Sequence, residues 1–238
     1  MTKIGILVHC RNLNTIAWED LVFGQPKQGK LGDHATLAKV LLTLGKDEEV
    51  CIVLGGGPSQ RDGVSEGDYS KKFLLDNLDR LEEFQSLQSL FANLSDEERM
   101  VFRKSMENVI VSSRIANTRE EVVEAARIFN EAGVDKVIQI TAASHASSCI
   151  KEQTILRAKG MIDTNQLWHV IATDMSYHDT QPEDVCVIEP PHRLDQPLTY
   201  VRPGLSEVIA PYFSFGDEDK KAFIGAVSEF MTARNHLP

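Results

Sequence analysis

Short apolar runs rich in β-branched residues punctuate the chain at residues 4–8, 50–54, 108–112, 136–141, 167–173 and 185–188. Several are apolar throughout instead of alternating, which is the pattern of a strand covered on both faces of a parallel sheet. Between the runs, apolar positions recur at three- and four-residue spacing, as on one face of a helix. Val122, Ala125, Ala126 and Phe129 follow Thr118-Arg-Glu-Glu121, which has the form of a capping box, and Gly133 stands where a left-handed residue ends a helix. Strand, helix and strand over residues 108–141 then make a βαβ unit. Residues 37–44 read as a further helix, stopped at Gly45.

The stretch 65–106 carries two more capping signals, Ser65-Glu-Gly-Asp68 and Ser95-Asp-Glu-Glu98, ahead of helical patterns at 73–94 and 99–106. It reads as a helical insertion against one end of the sheet, or as a long crossover with two helices. Prolines at 182, 190, 191, 197 and 203 predict an extended surface segment before a last helix at 218–232. The expected architecture is α/β: a Rossmann-like three-layer sandwich with a mostly parallel sheet, one domain over residues 1–238.

Charge and cysteine usage narrow the partners. Thirty-five acidic against 25 basic residues repel a phosphate backbone, and no basic patch is concentrated anywhere, so nucleic acid is not an expected partner. No apolar run approaches the roughly 18 residues of a membrane helix, and the run at 4–8 is too short for a secretory leader. Cys10, Cys51, Cys149 and Cys186 are widely spread, without a CxxC pair or ligand-like Cys/His spacing. They predict reduced thiols in a cytoplasmic protein and offer no metal motif. Nothing in the pattern fixes an oligomeric state.

Ligands of open α/β sheets bind outside the carboxyl ends of the strands, where helix N-termini favour anions. After the second strand, Gly55, Gly56, Gly57, Pro58 and Ser59 form a loop whose backbone N–H groups are open to a phosphate or carboxylate. It is neither a P-loop nor a dinucleotide fingerprint. After the third, Ser113, Arg114, Asn117 and Thr118 run into a helix; Arg114 suits a bidentate anion contact, while Asn117 and Thr118 also suit purely local turn and cap roles. After the fourth come Thr141, Ser144 and His145, and His145 is the leading acid/base candidate. Asp174 and His178 follow the fifth strand. Glu66 is within reach of the glycine loop or starts a solvated helix face. His169 reads as a packed core histidine. Cys149 lies near a helix N-terminus beside His145, pointing to a stabilised thiolate or simply into the core.

The succession IVLGGG (52–57), SEGDYSKKFL (65–74), IANTREEVVEAARIF (115–129) and KVIQITAASHASS (136–148) resembles the YdcF-like family of bacterial proteins, which includes SanA and ElyC. The blocks agree in order over residues 31–150. Gly55 to Gly57 fall on that family's glycine loop, Ser65 and Glu66 on its Ser-Glu pair, Asn117, Thr118 and Glu120 on Asn-Thr-x-Glu, and His145 on its histidine. Glu121 stands where the family has Asn, Ser148 where it has Arg, and His9-Cys10 where its first strand ends in Leu-Gly. The resemblance implies a Rossmann-like fold with its site at these loops, and S-adenosylmethionine as a candidate cofactor.

Together these readings predict an enzyme that hydrolyses, or transfers a group of, a small anionic nucleotide-like or phosphorylated metabolite, with His145 as acid/base and Glu66 or Asp174 orienting it. A module that binds S-adenosylmethionine or a nucleotide without chemistry is the alternative. A protein-interaction scaffold using 65–106 as its contact surface ranks third.

Overall fold

The apolar runs form one five-stranded sheet in which every pairing is parallel: β1 (Lys3–Val8), β2 (Glu49–Leu54), β3 (Ile110–Val111), β4 (Lys136–Ala142) and β5 (Leu167–Thr173). The computed structural model describes residues 2–45, 48–112, 117–163 and 165–177, with isolated positions between 216 and 225. The chain divides into two compact units, Met1–Cys186 and Val187–Pro238, and the sheet belongs to the first. The expected strand at 185–188 and the proline-rich segment lie outside the described residues. Of the expected last helix, Glu218, Asp219, Lys221, Ala222 and Gly225 are described, and they are helical.

The spatial order β3-β2-β1-β4-β5 is the doubly wound arrangement, built outward from β1 on one side and then on the other. In β1, Ile4, Ile6 and Val8 join Ile52, Leu54 and Ile140 on one face, while Leu7 joins Val53 and Val137 on the opposite face. Both faces are therefore apolar, which is why these runs do not alternate.

The second face is covered by α6 (Thr118–Ala132), whose Val122, Ala125, Ala126 and Phe129 are buried there, and by Leu156 of α7 (Ala143–Ala158). The first face is covered by Phe23 of the short α1 (Trp18–Phe23), by α2 (Asp33–Thr43) and by the segment 65–106. That segment consists of α3 (Glu66–Asp76), a 3-10 turn (Leu78–Glu83), α4 (Gln85–Ala92) and α5 (Asp96–Glu107). Leu74, Leu78, Leu81, Phe84, Leu87, Phe91 and Met106 point into the same apolar cluster as the strands. The segment is thus a long crossover that makes one layer of the sandwich, with the helical pattern at 73–94 broken in its middle. Ser65 and Ser95 cap α3 and α5 as their sequences predict, Ser95 and Glu98 in a reciprocal capping box.

Two local readings change. Among the described residues β5 is an edge strand, and its His169 is exposed instead of packed in the core. At α6, Asn117 and not Thr118 is the N-cap, its side-chain oxygen accepting the Glu120 N–H at 3.1 Å. Glu121 turns inward and is buried. Among the described residues no helix is long and apolar enough to cross a membrane.

Candidate functional site at the centre of the sheet edge

The strand order reverses at β1, so the loops leaving β1 and β4 part in opposite directions and open a crevice between them. The backbone carries the ladder up to that point: His9 N–H donates to Ile140 O at 3.0 Å and Gly55 N–H to Val8 O at 2.9 Å. There lies a cavity of about 150 Å³ whose walls include His9, Arg11, Gly57, Glu66, Thr118 and His145.

His9 is buried, with Nδ1 2.7 Å from Glu121 Oε2 and Nε2 3.0 Å from Gln139 Oε1. This is what draws Glu121 away from the helix cap. His145, in the first turn of α7, places Nε2 3.0 Å from Thr118 Oγ1, so the hydroxyl expected to cap α6 holds an imidazole instead. The two rings meet edge to face with centroids 5.8 Å apart. The Cys149 thiol, one helical turn after His145, is buried beside both, and the three side chains bring ligand-capable atoms within 4.8 Å of one another. Burial pushes the Cys149 thiol up, but the imidazoles of His9 and His145 outweigh it and leave the thiol at about 7. Burial likewise opposes protonation of His9, and the charges of Glu121 and Cys149 overcome it, holding its pKa well above 6.5.

The glycine loop has a steric explanation. A Cβ at Gly55 would sit 2.0 Å from Glu121 Oε1, and one at Gly57 would sit 2.4 Å from Glu66 Oε1. The absent side chains make room for two buried carboxylates. Glu66, the first residue of α3, accepts a hydrogen bond from Ser59 Oγ, which also accepts the Leu13 N–H at 2.9 Å. Burial raises the pKa of Glu66, against the Ser59 hydrogen bond and with the help of neighbouring Glu121. Cys10 Sγ donates to Gly55 O at 3.0 Å, and burial, followed by Glu121 and Glu66, pushes its thiol well up.

Arg11 supplies the remaining charge. Its Nε and Nη2 donate to the two Asp33 oxygens at 2.6 and 2.8 Å, and Nη2 reaches Thr173 Oγ1 at 3.0 Å. Trp18 Nε1 holds the Arg11 carbonyl at 2.9 Å, and the Tyr177 ring lies 5.3 Å from the guanidinium. Nη1 is buried and meets no acceptor among the described residues. A buried donor on a guanidinium without a partner is costly to leave so, and Arg11 forms part of the cavity wall. Beside it, α7 has Ala142 as its N-cap, with no side-chain cap and no acidic residue in its first turn.

Of the residues expected from sequence, Gly56, Gly57, Glu66, Asn117, Thr118, Thr141 and His145 meet at the cavity. Gly55 and Ser59 stand directly behind it, against Glu121 and Glu66. Asp174 is elsewhere: its Oδ2 accepts the Leu31 N–H at 2.9 Å and its own N–H donates to Leu31 O at 3.0 Å, fixing the edge of a short antiparallel hairpin of Gly24–Gln25 and Lys30–Leu31. Ser144 is on the first turn of α7 but not on the wall. Ser113, Arg114 and His178 lie outside the described residues. Sequence reasoning passed over His9, Cys10, Arg11, Glu121 and Gln139. The signal for the first three was present, since they directly follow the first apolar run, the position where the strand-end rule looks for ligand contacts.

No family model, no curated protein and no solved structure matches the chain.

Proposed function

We propose that this protein is an enzyme that hydrolyses, or transfers a group of, a small anionic metabolite bound in the cavity at the switch point of the sheet. The observation that carries the reading is the cavity itself, where His145, Glu66 and the cationic residue Arg11 share one wall at the switch point. The uncapped start of α7 offers N–H donors to an anionic oxygen there, and the positive charge of Arg11 favours it. His145, on that same turn and held at Nε2 by Thr118, is the proton-transfer group. Glu66 and Glu121 set the charge around it. The resemblance to the YdcF-like family supports the same placement.

Size supports a small ligand. At about 150 Å³ the cavity is below the roughly 300–1,000 Å³ of common small-molecule pockets. A phosphoryl or carboxyl group with a short stem suits it better than a whole nucleotide. The unpaired Cys10, Cys51 and Cys149 thiols are in keeping with a cytoplasmic location, which is part of the proposal.

The test is a thermal-shift screen against inorganic phosphate, phosphorylated sugars, nucleotides and S-adenosylmethionine, with mass spectrometry of every stabilising compound. A ligand at about 100 times its Kd adds roughly 2.7 kcal/mol of stability. The expected result is stabilisation by a small phosphorylated compound that is consumed, with turnover falling by about 10²–10⁴-fold in His145→Ala. A stabilising ligand recovered intact would make the protein a binding module, and stabilisation by uncharged compounds alone would remove the role given to Arg11.

A further inference from the structure

We infer that His9, His145 and Cys149 form a binding site for a zinc-class divalent cation whose open coordination position faces the cavity. Two imidazoles and a thiolate are the donors that Zn2+ and its neighbours select, and that Mg2+ and Ca2+ do not. The ligand-capable atoms already lie within 4.8 Å of one another. Zinc bonds of about 2.0–2.3 Å require these atoms to close by only about 1 Å, within the reach of side-chain rotation.

The surroundings are those of metal-binding histidines. Such residues hold their second ring nitrogen on an oxygen acceptor, commonly a carboxylate, a backbone carbonyl or water, which fixes ring and tautomer. His9 keeps Nδ1 on Glu121 Oε2 at 2.7 Å and frees Nε2 for the ion by releasing Gln139. His145 keeps Nε2 on Thr118 Oγ1 at 3.0 Å and offers Nδ1. Cys149 supplies the inner ligand, buried behind the two rings, while both histidines reach the cavity wall. Three protein ligands and a fourth position open to a cavity are the arrangement of catalytic rather than structural zinc. The set is invisible in the sequence because His9 comes from the end of β1, whereas His145 and Cys149 are one turn apart on α7.

The inference rests on the proposed reading and revises one role in it: with the ion bound, His145 would be a ligand and not the proton-transfer group, and the ion would supply Lewis-acid polarisation of an oxygen at the open position. Metal binding is tested without any substrate. Chelator-stripped protein is titrated with Co2+, and the expected result is one equivalent bound with a thiolate-to-cobalt charge-transfer absorption. That absorption should vanish in Cys149→Ser and persist in Cys51→Ser. Glu121→Gln, which leaves all three ligands in place, should weaken binding about 10–100-fold. Circular dichroism identifies any variant that fails to fold; should Cys149→Ser do so, the half-buried His145→Gln replaces it and should lose the tight equivalent. Absence of the charge-transfer absorption in the folded wild type, or its survival in Cys149→Ser, would overturn the inference. Either of these results would leave His145 as a metal-free acid/base and the proposed reading intact.

Discussion

At the scale of single residues, the chain tolerates several buried polar groups, and each makes a distinct demand. His34 is fully buried on α2, its Nε2 3.0 Å from Ser70 Oγ and its Nδ1 without a partner among the described residues. Burial drives its pKa down to about 3. Between pH 6.5 and 3 the unfolded chain therefore carries a proton at His34 that the folded chain refuses, and stability falls as pH falls through that window. The expected contribution is about 1.4 kcal/mol per pH unit. Urea denaturation of wild type and His34→Gln between pH 7 and 4 checks it: the variant should lose stability less steeply on acidification. Equal slopes would show that His34 takes up its proton while folded. Glu66 acts in the opposite sense, since burial raises its pKa and its protonated form is favoured in the fold; comparison with a single His34 variant separates the two.

Between elements, the contact that matters most is the one joining the loop after β2 to α6. Glu121 enters the space that Gly55 leaves empty, and there meets His9 and the Cys10 N–H. Gly55→Ala is expected to cost about 1–3 kcal/mol, because a Cβ at that place collides with a carboxylate that has no other room. The loss should appear in chemical denaturation with no ligand present; a variant as stable as wild type that merely binds phosphate poorly would show that the glycine serves the ligand and not Glu121. This contact also marks the limit of what the sequence displays. Strand positions were legible because the inner strands are buried on both faces, so that β1 and β2 read as unbroken apolar runs and β4 as one interrupted only by Gln139 and Thr141, and the caps at Ser65 and Ser95 were legible because capping is local. Thr118-Arg-Glu-Glu121 has the same local form as the box at Ser95, yet its two polar ends are taken by His145 and His9. A long-range partner overrides a short-range rule, and a single sequence does not show that partner. The same holds for Asp174, correctly placed at a strand end but committed to the Leu31 backbone.

In the first compact unit as a whole, Arg11 ties three distant parts together: its own loop after β1, Asp33 at the start of α2, and Thr173 and Met175 at the end of β5. The pair is almost completely buried, so removing one member strands the other charge. Arg11→Met is expected to cost about 3–5 kcal/mol, while Arg11→Met with Asp33→Leu should recover most of that. At about 2–4 °C per kcal/mol for a chain of this size, differential scanning calorimetry resolves the two. Additive losses in the double variant would mean that the charges act independently. The strand order carries a further consequence, for the chain during its synthesis. β1 is made first and lies in the middle, with β2 on one side and β4 on the other. β2 follows within a few dozen residues, but β4 ends about 90 residues after β2, so at roughly 5–20 residues per second one edge of β1 stays bare for on the order of 4–18 seconds on the ribosome. For that interval Lys3–Val8, an apolar strand with an unpaired row of N–H and C=O groups, is open to a chaperone or to a neighbouring nascent chain.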